Sequence, residues 1–261
     1  MTLIVGILCE DGAVLASDSF ATFAAGTSVT ISQQEVTKVH QLGPRLLYAS
    51  TGAIGVSQVI TSELTKLSET GYFSKNVTPI ESMMTISRTI SAQVKDIIES
   101  AQRLVPLVGQ GEAAMTVLCK SLVGVVVRKQ VHLFQFDYGG APEQATNEAP
   151  FVALGSGQAM ADPFLAFLKR ILWKDRRPTL AEGRLVAAWT IRHVSQTIYG
   201  GVGGSIQMAS LSCAEGKPKI EIADPAEHEG FIAEAEAALR DNIQRPAMGP
   251  VPEPPKPPAA S

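Results

Sequence analysis

Thr2 stands directly after Met1. A small second residue permits removal of the methionine, and a threonine so exposed carries nucleophile and base in one residue. Its Oγ attacks, and its own α-amine, with an ordinary pKa of about 8, can take the proton. Three further residues have types that would serve such a centre: Asp18, Lys38 and Gly52. A lysine cation favours the deprotonated forms of hydroxyl and amine, and a carboxylate beside it keeps it charged and aimed. A glycine at a strand-to-helix turn can direct its backbone N–H at a developing oxyanion. A carbonyl attacked by Thr2 would give an ester, later hydrolysed by water that the same amine activates.

Chemistry of this kind requires elements that bring positions 2, 18, 38 and 52 together. Residues 2–9 and 13–18 are short apolar runs joined by Glu10-Asp11-Gly12, and Asp-Gly is a hairpin signal. Folding about Asp11-Gly12 places Thr2 at the same end as residues 18–22. A second pair, 36–42 and 46–50 around Gly43-Pro44-Arg45, puts Lys38 opposite Ala49 or Ser50, next to Thr51-Gly52. Singly, each residue has an ordinary role: Asp18 as a turn or cap, Lys38 as an edge charge, Gly52 as a turn. Their convergence at one end of two hairpins is what marks them.

Helical periodicity predicts helices over 53–68, 79–104, 159–173, 180–198 and 226–243. Thr78-Pro-Ile-Glu81 and Thr179-Leu-Ala-Glu182 read as capping boxes, and Asp224-Pro225-Ala-Glu227 as a third helix start. Further strands are expected at 113–120, 123–128, 131–137, 150–154, 205–212 and 218–223. Strands come in groups, so a doubly wound parallel sheet does not fit. Many are apolar on both faces, as in Leu3-Ile4-Val5 and Val14-Leu15-Ala16, which calls for cover on both sides. The expected fold is α+β, a four-layer α/β/β/α sandwich of two antiparallel sheets. Residues 1–244 would form this domain, C-terminal helix included. Residues 245–261, with seven prolines in 17 residues, would form a disordered, partly polyproline-II tail.

Composition narrows the function classes. Apolar residues make up 45% of the 261-residue chain and charged residues 18%, enough for a large core. A net charge of −3 argues against nucleic-acid binding. No run reaches the roughly 18 apolar residues of a membrane span, and the start lacks the basic region of a signal peptide. Cys9, Cys119 and Cys213 are odd in number and lack CxxC spacing, and the histidines lack zinc spacing, so neither a disulfide scaffold nor a metal site is indicated. Gly155-Ser-Gly-Gln is neither a P-loop nor a nucleophile elbow.

The start Thr2-Leu-Ile-Val-Gly-Ile-Leu-Cys-Glu-Asp-Gly-Ala-Val-Leu-Ala-Ser-Asp-Ser, with Ala21-Thr22, resembles the beginning of a proteasome β-type subunit, a threonine-dependent N-terminal-nucleophile hydrolase. Thr-Lys38-Val-His-Gln-Leu is similar to that family's lysine strand, Ser50-Thr51-Gly52-Ala-Ile-Gly55 to its oxyanion turn, and Gly155-Ser156-Gly157 to its serine loop. The resemblance runs from residue 2 to about 212. It implies Thr2 as nucleophile and base, Asp18 and Lys38 as the tuning pair, and the Gly52 N–H in the oxyanion hole. It places Ser156 near the terminal amine, and Ser210 too if Gly203-Gly204-Ser205-Ile206 is the family's glycine turn. Thr22 would hold substrate as an added strand. Ser50 and Ile54 would belong to the specificity pocket, Ser50 at its floor, leaving room for large apolar side chains.

The same resemblance implies a cytoplasmic threonine endopeptidase with no cofactor. It would assemble with itself as two stacked heptameric rings and degrade peptides or unfolded proteins, with an ATP-dependent unfoldase or cap as further partner. Gln207 stands where many members have an Asp near the amine. Met1 alone before Thr2, together with the C-terminal extension, is most similar to the propeptide-free standalone homologue of β-proteobacterial type. Two alternatives stay open: an amidohydrolase of the same fold acting on small amides, and a ring whose site has decayed and which serves as a scaffold.

Overall fold

The computed structural model describes residues 2–24, 31–108, 117–174, 176–197 and 201–244. The chain divides into two compact units, 1–225 and 226–261. The proline-rich tail lies outside the described residues.

In the first unit, β1 (Ile4–Leu8), β2 (Gly12–Asp18), β10 (Phe151–Leu154), β11 (Ile206–Ala214) and β12 (Lys217–Ile222) form one sheet in the order β10-β1-β2-β11-β12. The second sheet runs β5-β6-β7-β8-β9, from β5 (Val39–Gln41), β6 (Leu46–Gly52), β7 (Cys119–Val127), β8 (Gln130–Phe136) and β9 (Pro142–Gln144). All their pairings are antiparallel. A ribbon of β3 (Phe20–Ala24) and β4 (Ile31–Glu35) stands apart.

Period-two alternation sorts the side chains into layers. Leu3, Val5, Ile7, Val14 and Ala16 pack with α3 (Gln158–Leu168) and α4 (Leu180–Thr197). Ile4, Leu8 and Leu15 meet Leu47, Leu122 and Leu133 between the sheets. Tyr48, Val123 and Phe134 face α1 (Ile54–Glu69) and α2 (Pro79–Val108). Three apolar layers between four structural layers make the α/β/β/α sandwich, as the doubly apolar strands require.

Both capping boxes form: Thr78 N and Glu81 N bond reciprocally to each other's side chains at 2.6 and 3.1 Å, and Thr179 and Glu182 do so at 2.8 and 3.3 Å. The second unit holds α5 (Glu229–Gln244), after one 3-10 turn at Pro225–His228.

Some expectations need correcting. The first hairpin turns on Glu10-Asp11, one residue earlier than expected: Cys9 N–H bonds Gly12 O at 2.8 Å, and Ile4 pairs with Ser17. Asp11 stays in the turn, and its side chain caps α4 by accepting the Leu180 N–H at 2.8 Å. The expected break between 120 and 123 is absent, since β7 runs continuously through Gly124. The helix expected over 159–173 changes to a π-turn at Lys169–Trp173.

Candidate active site

Four segments of the first unit meet at one end of the sandwich. β1 pairs with β10 so that Ile4 faces Leu154, a register that brings Thr2 to Ser156. The Thr2 nitrogen, which becomes the α-amine once Met1 is removed, donates to Ser156 Oγ at 3.1 Å. The Gly157 N–H donates to Thr2 O at 3.2 Å. Gly155 has φ +100° and lies so close that a Cβ there would sit 2.1 Å from Thr2 O. The turn from β10 into α3 therefore grips the backbone of residue 2, and glycine is required to let it approach.

Asp18, at the end of β2, is fully buried. Its Oδ1 accepts the Leu3 N–H at 2.9 Å and Lys38 Nζ at 2.8 Å, and its Oδ2 accepts the Gly203 N–H at 3.2 Å. One carboxylate thus ties the start of β1, the lysine and the glycine-rich turn together. Lys38 is 6% exposed and donates a second bond to Phe20 O at 2.7 Å. Two of its three N–H groups are so engaged, and the third is left for the cavity that Lys38 shares with Thr2. Burial lowers the Lys38 pKa from 10.5, while the Asp18 carboxylate opposes that shift.

That cavity measures about 750 Å³ and is lined by Thr2, Lys38, Ser50, Gly52, Ile54 and Ser156 among others. Gly52 ends β6 with φ +119°, and a Cβ there would meet Leu118 O at 2.0 Å, so a tight β6-to-α1 turn depends on it. Val39 pairs with Ala49, which sets Lys38 beside Ser50 as the second hairpin required. Thr22 lies on β3 opposite Gln33.

Two expected residues lie elsewhere. Ser210 is not at the amine: it pairs with Val14, and its hydroxyl accepts from Arg184 Nη2 of α4 at 2.7 Å. Gln207 is not at the amine either. Its Oε1 accepts the backbone N–H groups of Lys38 and Val39 at 2.7 and 3.3 Å, and its Nε2 donates to Val36 O at 2.6 Å. The two side chains are three apart on one strand, so they point to opposite faces, one toward the second sheet and the other toward α4.

Gln207 is therefore a positioning residue for the segment that carries Lys38. Gln207→Leu is expected to slow acylation of Thr2 about tenfold by loosening that segment, with substrate affinity unchanged. Single-turnover acylation at varied substrate concentration reads this; a purely structural role would lower stability and leave the rate intact.

Missed from the sequence are the bond of the Gly203 N–H to Asp18, the part of Phe20 through its carbonyl, and the polar stripe of α1 formed by Ser57, Gln58, Thr61 and Ser62. The stripe was detectable, because Val56, Ile60 and Leu64 define the buried face and leave the polar positions on the other.

Comparison with solved structures places this architecture. Anbu (ancestral beta-subunit) from Yersinia bercovieri superposes with TM-score 0.62 at 17% identity, over 95% of this chain and 99% of that one. Anbu from Hyphomicrobium sp. strain MC1 gives 0.62 at 18%, over 95% and 100%. The structure described as the helical assembly of the Anbu complex from Pseudomonas aeruginosa gives 0.66 at 18%, over 95% and 98%. At such identities the likeness concerns the fold, which is the proteasome-type N-terminal-nucleophile sandwich. Comparison with curated protein sequences gives no match. The profile described as proteasome subunit matches residues 2–196, a span that contains the β1–β2 hairpin, the Lys38 strand, the Gly52 turn and the Ser156 loop. By that match the chain belongs to the proteasome subunit family.

Proposed function

We propose that the protein is a threonine endopeptidase that hydrolyses peptide bonds of unfolded proteins or peptides through Thr2, freed by removal of Met1. The observation that carries this reading is the common cavity of Thr2, Lys38, Gly52 and Ser156, backed by the buried Asp18–Lys38 pair. Thr2 Oγ attacks the carbonyl carbon while the α-amine takes its proton. The Lys38 ammonium lowers the cost of negative charge on Oγ, and the Gly52 N–H receives the carbonyl oxygen as it becomes an oxyanion. The amine returns the proton to the leaving nitrogen, the amide bond breaks, and an ester remains on Thr2. Water, deprotonated by the same amine, then releases the acid. Ser156 holds the amine in place. Thr22 on β3 extends the substrate as an added strand, and Ser50 and Ile54 border its side-chain pocket.

The assembly and setting follow the same reading. The chain would act in the cytoplasm, as two stacked heptameric rings of its own copies served by an unfoldase or cap, and as a standalone bacterial homologue. The helical Anbu assembly of Pseudomonas aeruginosa supports self-association in this family without setting its closure. Among the described residues no helix is long and apolar enough to cross a membrane.

Incubation of Met1-free protein with casein and with fluorogenic peptides tests the activity. Cleavage that disappears in Thr2→Ala is the expected result. Turnover of small amides alone would favour the amidohydrolase alternative, and no turnover of either would favour the scaffold. The pH profile has an expected sign. A required ammonium is lost as pH rises through the pKa of Lys38, which burial sets below 10.5, so the alkaline limb should fall before that pH. A rate still rising at pH 10.5 would remove Lys38 from its charged role.

A further inference from the structure

Beside Thr2, the cavity is walled by α1, whose polar stripe faces a small buried cluster beneath it. Ser50 Oγ and Ser57 Oγ lie 2.5 Å apart, with Ser50 only 8% exposed. Below them the Tyr48 hydroxyl, wholly buried, bonds Ser121 Oγ at 3.2 Å. The floor of the pocket thus carries the rotatable hydroxyls of Ser50 and Ser57, where the expectation from Ser50 was room for large apolar side chains. Hydroxyls both donate and accept, so the set can meet either a donor or an acceptor that enters from above.

Charge in the pocket is sparse. The Lys38 ammonium is held by Asp18 and Phe20 O. His40, which also lines the cavity, has its pKa lowered from 6.5 by burial. Among the described residues no carboxylate lines the cavity. A charged side chain entering here would lose hydration: a cation would meet the Lys38 ammonium and the Thr2 amine, and a carboxylate would find Lys38 already paired with Asp18. Ile54 and Val36 give the upper wall its apolar part.

We infer that the pocket selects, at the residue whose carbonyl Thr2 attacks, a long uncharged side chain ending in a hydrogen-bonding group, tyrosine or glutamine, over both charged and purely apolar side chains. Ser50 and Ser57 are the specificity-determining pair. This rests on the reading of Thr2 as nucleophile. A phenylalanine fills the same volume but covers the hydroxyls without bonding them, and one neutral hydrogen bond corresponds to roughly three- to tenfold in rate.

The test is the rate of covalent adduct formation on Met1-free full-length protein, followed by intact mass. The probes are peptide epoxyketones identical except for Tyr, Gln, Phe, Glu or Arg at the residue next to the electrophile. Tyr is expected to react roughly three- to tenfold faster than Phe, Gln to exceed Phe, and Glu and Arg to be at least about tenfold slower than Tyr. In the double variant Ser50→Ala, Ser57→Ala the Tyr-to-Phe ratio should fall to about one or below. The ratio is internal to each protein, so a partly destabilised variant still reports on it. Adducts with Phe as fast as with Tyr, or a ratio unchanged in the double variant, would overturn the inference and leave Thr2 as nucleophile. Absence of any adduct would overturn both.

Discussion

Lys38→Ala is expected to abolish measurable peptide hydrolysis, with a loss of roughly 10²–10⁴-fold or more, and to lower stability by about 3–5 kcal/mol. Both effects come from one pair. Asp18 and Lys38 are 1% and 6% exposed and 2.8 Å apart. Removing the cation leaves a buried carboxylate whose remaining partners are the Leu3 and Gly203 N–H groups. The stability and activity components can be separated. In Asp18→Asn, Lys38→Met the uncompensated charge is gone, so much of the stability should return while the activity does not. Thermal unfolding beside acylation rate reads the two. Activity regained in the neutral pair would mean that Lys38 holds the fold and takes no part in the chemistry.

Gly155→Ala is expected to have the second largest effect. The new Cβ would fall 2.1 Å from Thr2 O and 3.2 Å from Thr51 Oγ1, at φ +100°. The nearer obstacle is backbone, so the chain at residue 2 has to move. The strained backbone costs about 1–3 kcal/mol. Displacing the nucleophile by about 1 Å costs roughly 10²-fold in rate. Gly230→Ala, whose Cβ would meet nothing within 4 Å, provides the reference. Acylation of Gly155→Ala at the native rate would show that Thr2 is not held in a reactive position by this turn.

The layers and most of the site were readable in the sequence because they rest on local patterns. Ile4, Leu8 and Leu15 alternate with Val5, Ile7 and Val14, so both faces of β1 and β2 announce cover. Asp18, Lys38 and Gly52 lie at or beside strand ends, where a hairpin register shifted by one residue still brings them together. Placement of Gln207 and Ser210 demanded more. On β11 the face each side chain takes depends on its register with β2, in which Gln207 meets Ser17 and Ser210 meets Val14, and a misjudged register changes the partner completely. Gly203 acts through its backbone N–H, a group every residue but proline has, so its bond to Asp18 leaves no trace in residue type. The polar floor of the pocket was hidden for another reason: Ser57 reaches Ser50 only after α1 has docked on its sheet.

The central claim is that Thr2 is a competent terminal nucleophile. Intact mass of purified protein after incubation with a peptide epoxyketone, beside Thr2→Ala, tests it most directly. Loss of Met1 and gain of one adduct, absent in Thr2→Ala, is the predicted result. Loss of Met1 with no adduct under any condition would contradict the account.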